Sequence, residues 1–138
     1  MAAVFQIHIL AADHTVYEGE CESLTVPTTY GEQGILAHHS DMIAAVETGE
    51  LRYTVTGEKP QIIAVSQGLM KVEKGEVLVL VDTADRPEEI DLNRVKRAAD
   101  AAKEEMLRKK SHQEYLLAQA TLARALNRMR VKKHSRNI

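Results

Sequence analysis

Four side chains in the C-terminal third have the types and spacing to hold a polyphosphate. Asp91 and Arg94 are three residues apart and Arg124 and Arg128 four apart, so on helices each pair shares a face. A hairpin turning near His112 would set the start of the first helix beside the end of the second, gathering one carboxylate and three guanidiniums. Guanidiniums grip phosphate oxygens in a bidentate way, and Asp91 would accept a hydrogen bond from a base or ribose. The same spacing is met by an ordinary helix pair laced with surface ion pairs, each worth about 0.2–0.5 kcal/mol.

Two other groups of residues carry chemistry. The run from Arg128 to Arg136 includes Arg130, Lys132 and Lys133, and is dense enough in charge to dock on an acidic protein surface or on nucleic acid. It reads equally as a solvated, frayed terminus. His38, His39 and Asp41 suggest a metal site or an acid–base pair, yet no third ligand follows at a fixed spacing, and a polar loop is the plainer reading. No phosphate-binding glycine–lysine loop, G-x-S-x-G elbow or H-E-x-x-H helix is present. The sequence therefore assigns no catalytic residue and no metal, and a small hydrolase built on His39 and Asp41 would lack a nucleophile.

The elements that must position these residues change character between Asp85 and Asp91. Residues 1–90 carry 5 Lys/Arg against 15 Asp/Glu, and residues 91–138 carry 13 against 5, so opposed halves of −10 and +8 hide in a net charge of −2. Hydrophobic spacing switches at the same place. Phe5-Ile7-Ile9, Leu24-Val26 and Leu51-Tyr53-Val55 alternate with polar residues, the mark of half-buried strands. Val77 to Val81 is apolar on both faces and reads as a central strand. Breaks fall at Ala12-Asp13-His14, Thr29-Tyr30-Gly31, Gly34, Gly49, Gly57 to Pro60, Gly68 and Lys74-Gly75, and Ser40 to Val46 leaves room for a short helix. Strands so short and so regularly punctuated predict an antiparallel sandwich or barrel.

After Thr83, Pro87 and Asp91 suit a helix start, and Ala98, Ala99, Ala102, Met106 and Leu107 recur at helical spacing. Arg108-Lys109-Lys110 suits a helix C-terminus. Leu116, Leu117, Ala120, Ala123, Leu126 and Met129 form a second helical pattern after a tight connection between Ser111 and Glu114, which makes the helices antiparallel neighbours. The expected organisation is a β-domain over residues 1–86 and a helical hairpin over residues 87–138. Cys21 is the single cysteine, so no internal disulfide is available, and its alternating apolar setting predicts a small buried residue. The N-terminal MAAVFQIHIL lacks a signal-peptide pattern, and the longest apolar run is far below the roughly 20 residues of a membrane helix. The chain is expected to be soluble, with no direct membrane insertion.

The segment Gly31-Glu32-Gln33-Gly34-Ile35-Leu36 with His39, the strands around Ile63 to Ser66 and Val77 to Ala84, Ile90-Asp91-Leu92-Asn93-Arg94, and Arg124-Ala125-Leu126-Asn127-Arg128 together resemble the epsilon subunit family of bacterial F-type ATP synthases. The resemblance covers essentially the whole chain in order. It implies a ten-stranded β-sandwich on the central stalk, contacting the gamma subunit and the membrane rotor ring (c subunits), with Glu32 and His39 facing the ring. It implies a hairpin that permits hydrolysis when folded down and inhibits when extended into the catalytic hexamer, where Arg128, Arg130, Lys132 and Lys133 would meet an acidic segment of the beta subunit. Some members bind ATP on the folded hairpin. Asp85, Ile90, Asp91, Arg94, Arg124 and Arg128 match those positions, Asp85 standing where a Glu is found. Val95 replaces the Ala of that motif, and Ala101 stands where ATP-binding members have a further Arg. Losing one charged hydrogen bond, about 1.5–3 kcal/mol, predicts ATP binding weaker by roughly tenfold or more.

The reading that follows is a non-catalytic rotor subunit of a proton-transporting ATP synthase, peripheral on the cytoplasmic face of the bacterial membrane, with no required cofactor and regulatory ATP at most. The alternative is a nucleic-acid-binding β-domain with a basic helical tail. Against it, Phe5 and the four tyrosines are scattered rather than interleaved with the basic residues, so no base-stacking platform is visible.

Overall fold

A computed structural model describes residues 3–108 and 111–137. The chain divides into two compact units, Met1–Ala84 and Asp85–Ile138.

The first unit is built by strands β1 (Phe5–Ala11), β2 (Thr15–Cys21), β3 (Ser23–Thr28), β4 (Gly31–Leu36), β5 (Met42–Val46), β6 (Gly49–Thr54), β7 (Gln61–Val65), β8 (Gly68–Glu73) and β9 (Glu76–Val81), with the short β10 (Ala84–Asp85) at the unit boundary. They form one sheet in the order β10-β7-β6-β3-β5-β8-β9-β1-β2, with β4 added on β3. The link between β3 and β5 is a single pair, Thr28 opposite Val46, and there the sheet turns over to face itself. Strict alternation then does the packing. Phe5, Ile7 and Ile9 of β1, Leu24 and Val26 of β3, Leu51 and Tyr53 of β6, and Val77, Val79 and Val81 of β9 all point into one core. This is the sandwich expected from the alternation, with the ten strands the resemblance implied, and it departs from an all-antiparallel order where β1 runs parallel to β9.

One open segment is settled and two further expectations are revised. Residues 42–46 are strand rather than helix, because β8 offers Val72 to Gly68 as a complete partner for them and Met42, Ala44 and Val46 then face the core. A short alanine-rich segment is ambiguous until that partner exists. Gly34 is no break but an interior residue of β4, paired with Thr25. In the central strand β9 only one face is fully covered, since Leu80 is 43% exposed. The break at Lys74-Gly75 is a two-residue hairpin with φ of 52° and 80°, the left-handed pair that matches the twist of β8 and β9.

Gly68 is required by contact rather than by conformation. A Cβ there would overlap the Leu80 carbonyl oxygen and lie 2.7 Å from the Val81 Cα. Cys21 is fully buried, and burial pushes its thiol up to about 12.

The second unit holds a single 3₁₀ turn (Pro87–Glu89), α1 (Leu92–Arg108) and α2 (His112–Ser135). Asp91 opens α1, its Oδ1 accepting the Asn93 and Arg94 N–H groups at 3.0 and 3.3 Å. Ser111 opens α2, its Oγ accepting the Glu114 N–H at 3.0 Å. The connection therefore precedes His112 instead of following Ser111, and of the basic trio expected at the end of α1, Lys109 and Lys110 lie outside the described residues. The buried faces are also smaller than the apolar pattern suggested: Val95, Ala99 and Ala102 on α1, and Ala118, Ala125, Asn127 and Val131 on α2. Leu107, Leu116, Leu117 and Leu126 are exposed. Small residues allow close approach of two helix axes, and the larger side chains are left outside the seam.

Two consequences are measurable. Gly68→Ala should lower stability by about 1–3 kcal/mol, read as a fall in the denaturation midpoint of the sheet, because β8 and β9 must separate to admit the methyl group. Cys21 should resist a thiol reagent at pH 8 in the native protein and react promptly once denatured; rapid native labelling would contradict its burial.

Candidate functional site

The helical unit contains a groove of about 370 Å³ lined by Asp85, Glu89, Ile90, Asp91, Arg94, Val95, Ala98, Ala125 and Arg128. The hairpin creates it as its spacing required, by returning the end of α2 to the start of α1. The groove is closed by two ties. Arg128 Nε donates to Asp85 Oδ2 at 2.7 Å, and Lys132 Nζ donates to the Pro87 carbonyl at 2.7 Å. The 3₁₀ turn is itself tied back, since the Glu89 carboxylate accepts the Arg86 N–H at 3.1 Å.

Five of the six positions singled out for ATP meet here: Asp85, Ile90, Asp91, Arg94 and Arg128. Arg124 is not in the lining. It sits one turn toward the hairpin tip, half-buried, with Nη2 on the Thr121 hydroxyl at 3.3 Å. The charge balance consequently differs from the one carboxylate and three guanidiniums of the sequence reading. The lining presents Asp85, Glu89 and Asp91 against Arg94 and Arg128. Arg128 is already neutralised by Asp85, and one oxygen of Asp91 is occupied in capping α1. Arg94 makes no side-chain hydrogen bond or ion pair among the described residues, which leaves it as the uncommitted cation of the groove. Val95 is buried and adds wall where a smaller residue would leave room.

Of the basic residues near the C-terminus, Arg128 and Lys132 are engaged at the mouth of the hairpin, while Arg130 and Lys133 are exposed. In the sandwich, Glu32 lies near the start of β4 and His39 in the loop beyond its end; the four steps from Glu32 to Leu36 span roughly 13 Å along the strand. Glu32 pairs with Arg52 at 2.7 Å, and His39 Nδ1 donates to the Ser40 carbonyl at 2.7 Å. Asp41 accepts the Lys74 N–H at 3.0 Å, closing the β8–β9 turn, so its carboxylate serves a backbone role in the loop that first suggested acid–base chemistry.

Sequence reasoning missed Arg52, Lys132 as a carbonyl clamp, and the Glu89 tie. Arg52 carried the only available signal, a lone cation within an acidic stretch. Phe5 and Tyr53 are buried, and Tyr17 packs on Tyr53 with ring centroids 4.7 Å apart, so these three rings serve the core and not a nucleic-acid surface. No helix among the described residues is long and apolar enough to cross a membrane.

Comparison with known proteins follows both units. Residues 4–87 match the model of the ATP synthase delta/epsilon chain β-sandwich domain, and residues 88–133 match that of the ATP synthase delta/epsilon chain long α-helix domain. Proteins named ATP synthase epsilon chain are similar over nearly their full lengths. That of Ruminiclostridium cellulolyticum is 37% identical over 92% of this chain and 94% of its own. That of Shouchella clausii is 36% identical over 96% and 97%. Among solved structures, a chain of the Euglena gracilis mitochondrial ATP synthase (OSCP/F1/c-ring) shares the fold with a TM-score of 0.76 at 22% identity, covering 89% of this chain and 78% of that one. A chain of the Tetrahymena thermophila mitochondrial ATP synthase central stalk/c-ring gives 0.61 at 11% identity, over 92% and 95%. With both units matched in order and more than a third of its residues shared with such relatives, this chain belongs to the delta/epsilon chain family of ATP synthase.

Proposed function

We propose that this chain is a non-catalytic central-stalk subunit of a bacterial F-type ATP synthase, peripheral on the cytoplasmic face of the membrane. In this reading the sandwich contacts the gamma subunit and the rotor ring, and the helical hairpin regulates ATP hydrolysis by folding and extending. The observation that carries it is the family match running through both units without a gap. Glu32 and His39 are the ring-facing positions.

The ties at the mouth of the hairpin support a switch. Arg128 and Asp85 are about 30% exposed, and an ion pair at that exposure is worth about 0–1 kcal/mol. So small a contribution lets the groove open and close without a large barrier. Opening would release Arg128 and Lys132 to join Arg130 and Lys133, giving four cations for an acidic segment of the beta subunit.

Regulatory ATP fits the groove in volume better than in charge. About 370 Å³ lies within the usual range for small-ligand sites. Yet three lining carboxylates oppose two guanidiniums, so a polyphosphate must displace Asp85 from Arg128 and tolerate Glu89 nearby. Weak binding is the expectation. Arg94 and Arg128 would hold the phosphates, and Asp91 would take the base or ribose through its second oxygen.

Deleting residues 87–138 should raise hydrolysis by the reconstituted enzyme while leaving gamma binding intact; a truncated chain that neither binds gamma nor alters hydrolysis sinks the reading. Arg128→Ala should weaken ATP binding to the full chain by about tenfold or more in calorimetry. Unchanged affinity would remove the groove as the nucleotide site.

A further inference from the structure

Glu32 does not stand free on its hairpin. Among the described residues, strand β4 is hydrogen-bonded to β3 and to no other strand, so its far edge is open. The tie from elsewhere in the sheet is a side chain: Arg52 on β6 reaches across β3. Its Nη2 donates to Glu32 Oε2 at 2.7 Å and its Nη1 to Glu32 Oε1 at 3.4 Å, a lopsided two-point grip. Nη1 also donates to Glu50 Oε2 at 3.1 Å. The three side chains are graded outward, Glu50 being 17% exposed, Arg52 34% and Glu32 59%. The inner carboxylate therefore anchors the guanidinium, and the guanidinium aims the outer carboxylate. Gly49 makes the approach possible, since a Cβ there would lie 2.8 Å from the Pro27 Cβ and push β6 away from β3.

We infer that Arg52 is a positioning residue for docking on the rotor: held from inside by Glu50, it fixes the direction of the Glu32 carboxylate that meets the partner. This rests on the reading of Glu32 as a ring-facing group. Among the described residues, Arg52 is the charged group that acts on the Glu32 carboxyl. On β3 the outward Ser23, Thr25 and Pro27 are uncharged, and β6 supplies Arg52 and Glu50. The Arg52 guanidinium holds the Glu32 carboxyl below the usual range, and the Glu32 carboxylate in turn raises Arg52. The sign follows from the lowered value. The pair is complete above the ordinary glutamate range and is lost as pH falls through the lowered one. A planar fork shared between two carboxylates also sets direction, which a point charge from lysine cannot.

The test uses the full chain and the assembled enzyme. Carbon-detected NMR of the full chain should show the Glu32 carboxyl titrating higher in Arg52→Gln than in the native protein, with Arg52→Lys between them. Reattachment of the reconstituted catalytic complex to stripped membranes should weaken with Glu32→Gln. It should also weaken by about two- to fivefold with Arg52→Gln at pH 7, and further as the pH is lowered toward the ordinary glutamate value. Melting curves of both Arg52 variants check that the sandwich is intact, and Arg52→Lys carries the test if Arg52→Gln does not fold. An unchanged Glu32 titration, or an effect of Glu32→Gln on reattachment without one of Arg52→Gln, overturns the positioning role. No effect of Glu32→Gln overturns the docking reading itself, and the positioning role with it.

Discussion

A guanidinium and a carboxylate 43 residues apart in the chain, those of Arg128 and Asp85, meet at the mouth of the helical hairpin. The groove of that unit is built around this contact. It brings the end of α2 to the segment before α1 and walls the groove. It also neutralises one of the cations of the basic C-terminus. Lys132 on the Pro87 carbonyl repeats the arrangement one turn further along. Neither tie is deeply buried, so each contributes little to stability by itself.

The sandwich rests on a different kind of constraint. Its alternation sends every second residue inward, and a slip of one residue in any strand would invert that strand. The register is pinned where backbones come closest, at Gly68 against β9 and at the left-handed Lys74-Gly75 turn. Polar side chains then secure connections rather than the core. Asp41 holds the Lys74 N–H, and Ser66, almost fully buried, accepts from both the N–H and the hydroxyl of Thr83 at 2.8 and 3.0 Å. A rigid sandwich can present Glu32 on an edge strand because Arg52 braces that strand from the interior of the sheet.

The groove shows how a charge count made along the chain differs from one made in space. Counted along the chain, residues 91–138 are strongly basic. Counted in the groove, carboxylates outnumber guanidiniums, because Asp85 and Glu89 come from the acidic side of the divide and Arg124 points its guanidinium to Thr121. The exposed Arg130 and Lys133 keep the basic character for an outside surface.

What the sequence determined by itself was whatever short-range periodicity encodes. The alternation of Phe5-Ile7-Ile9, the turn at Lys74-Gly75, the helical recurrence after Asp91 and the reversal of charge there all survive in the folded chain, because each depends on residues a few positions apart. The three- and four-residue spacings of Asp91–Arg94 and Arg124–Arg128 were legible for the same reason, and the meeting of Arg94 with Arg128 followed only once a tight turn between the two helical patterns was added. Tertiary structure alone decided the contacts between distant segments: the strand state of Met42–Val46, the parallel pairing of β1 with β9, the exposure of Leu116 and Leu117, the capture of Arg128 by Asp85, and the grip of Arg52 on Glu32. In each, two conformations or two partners were locally equivalent. The choice fell to a neighbouring strand, a close-packed helix seam or an opposite charge that only folding brings within reach.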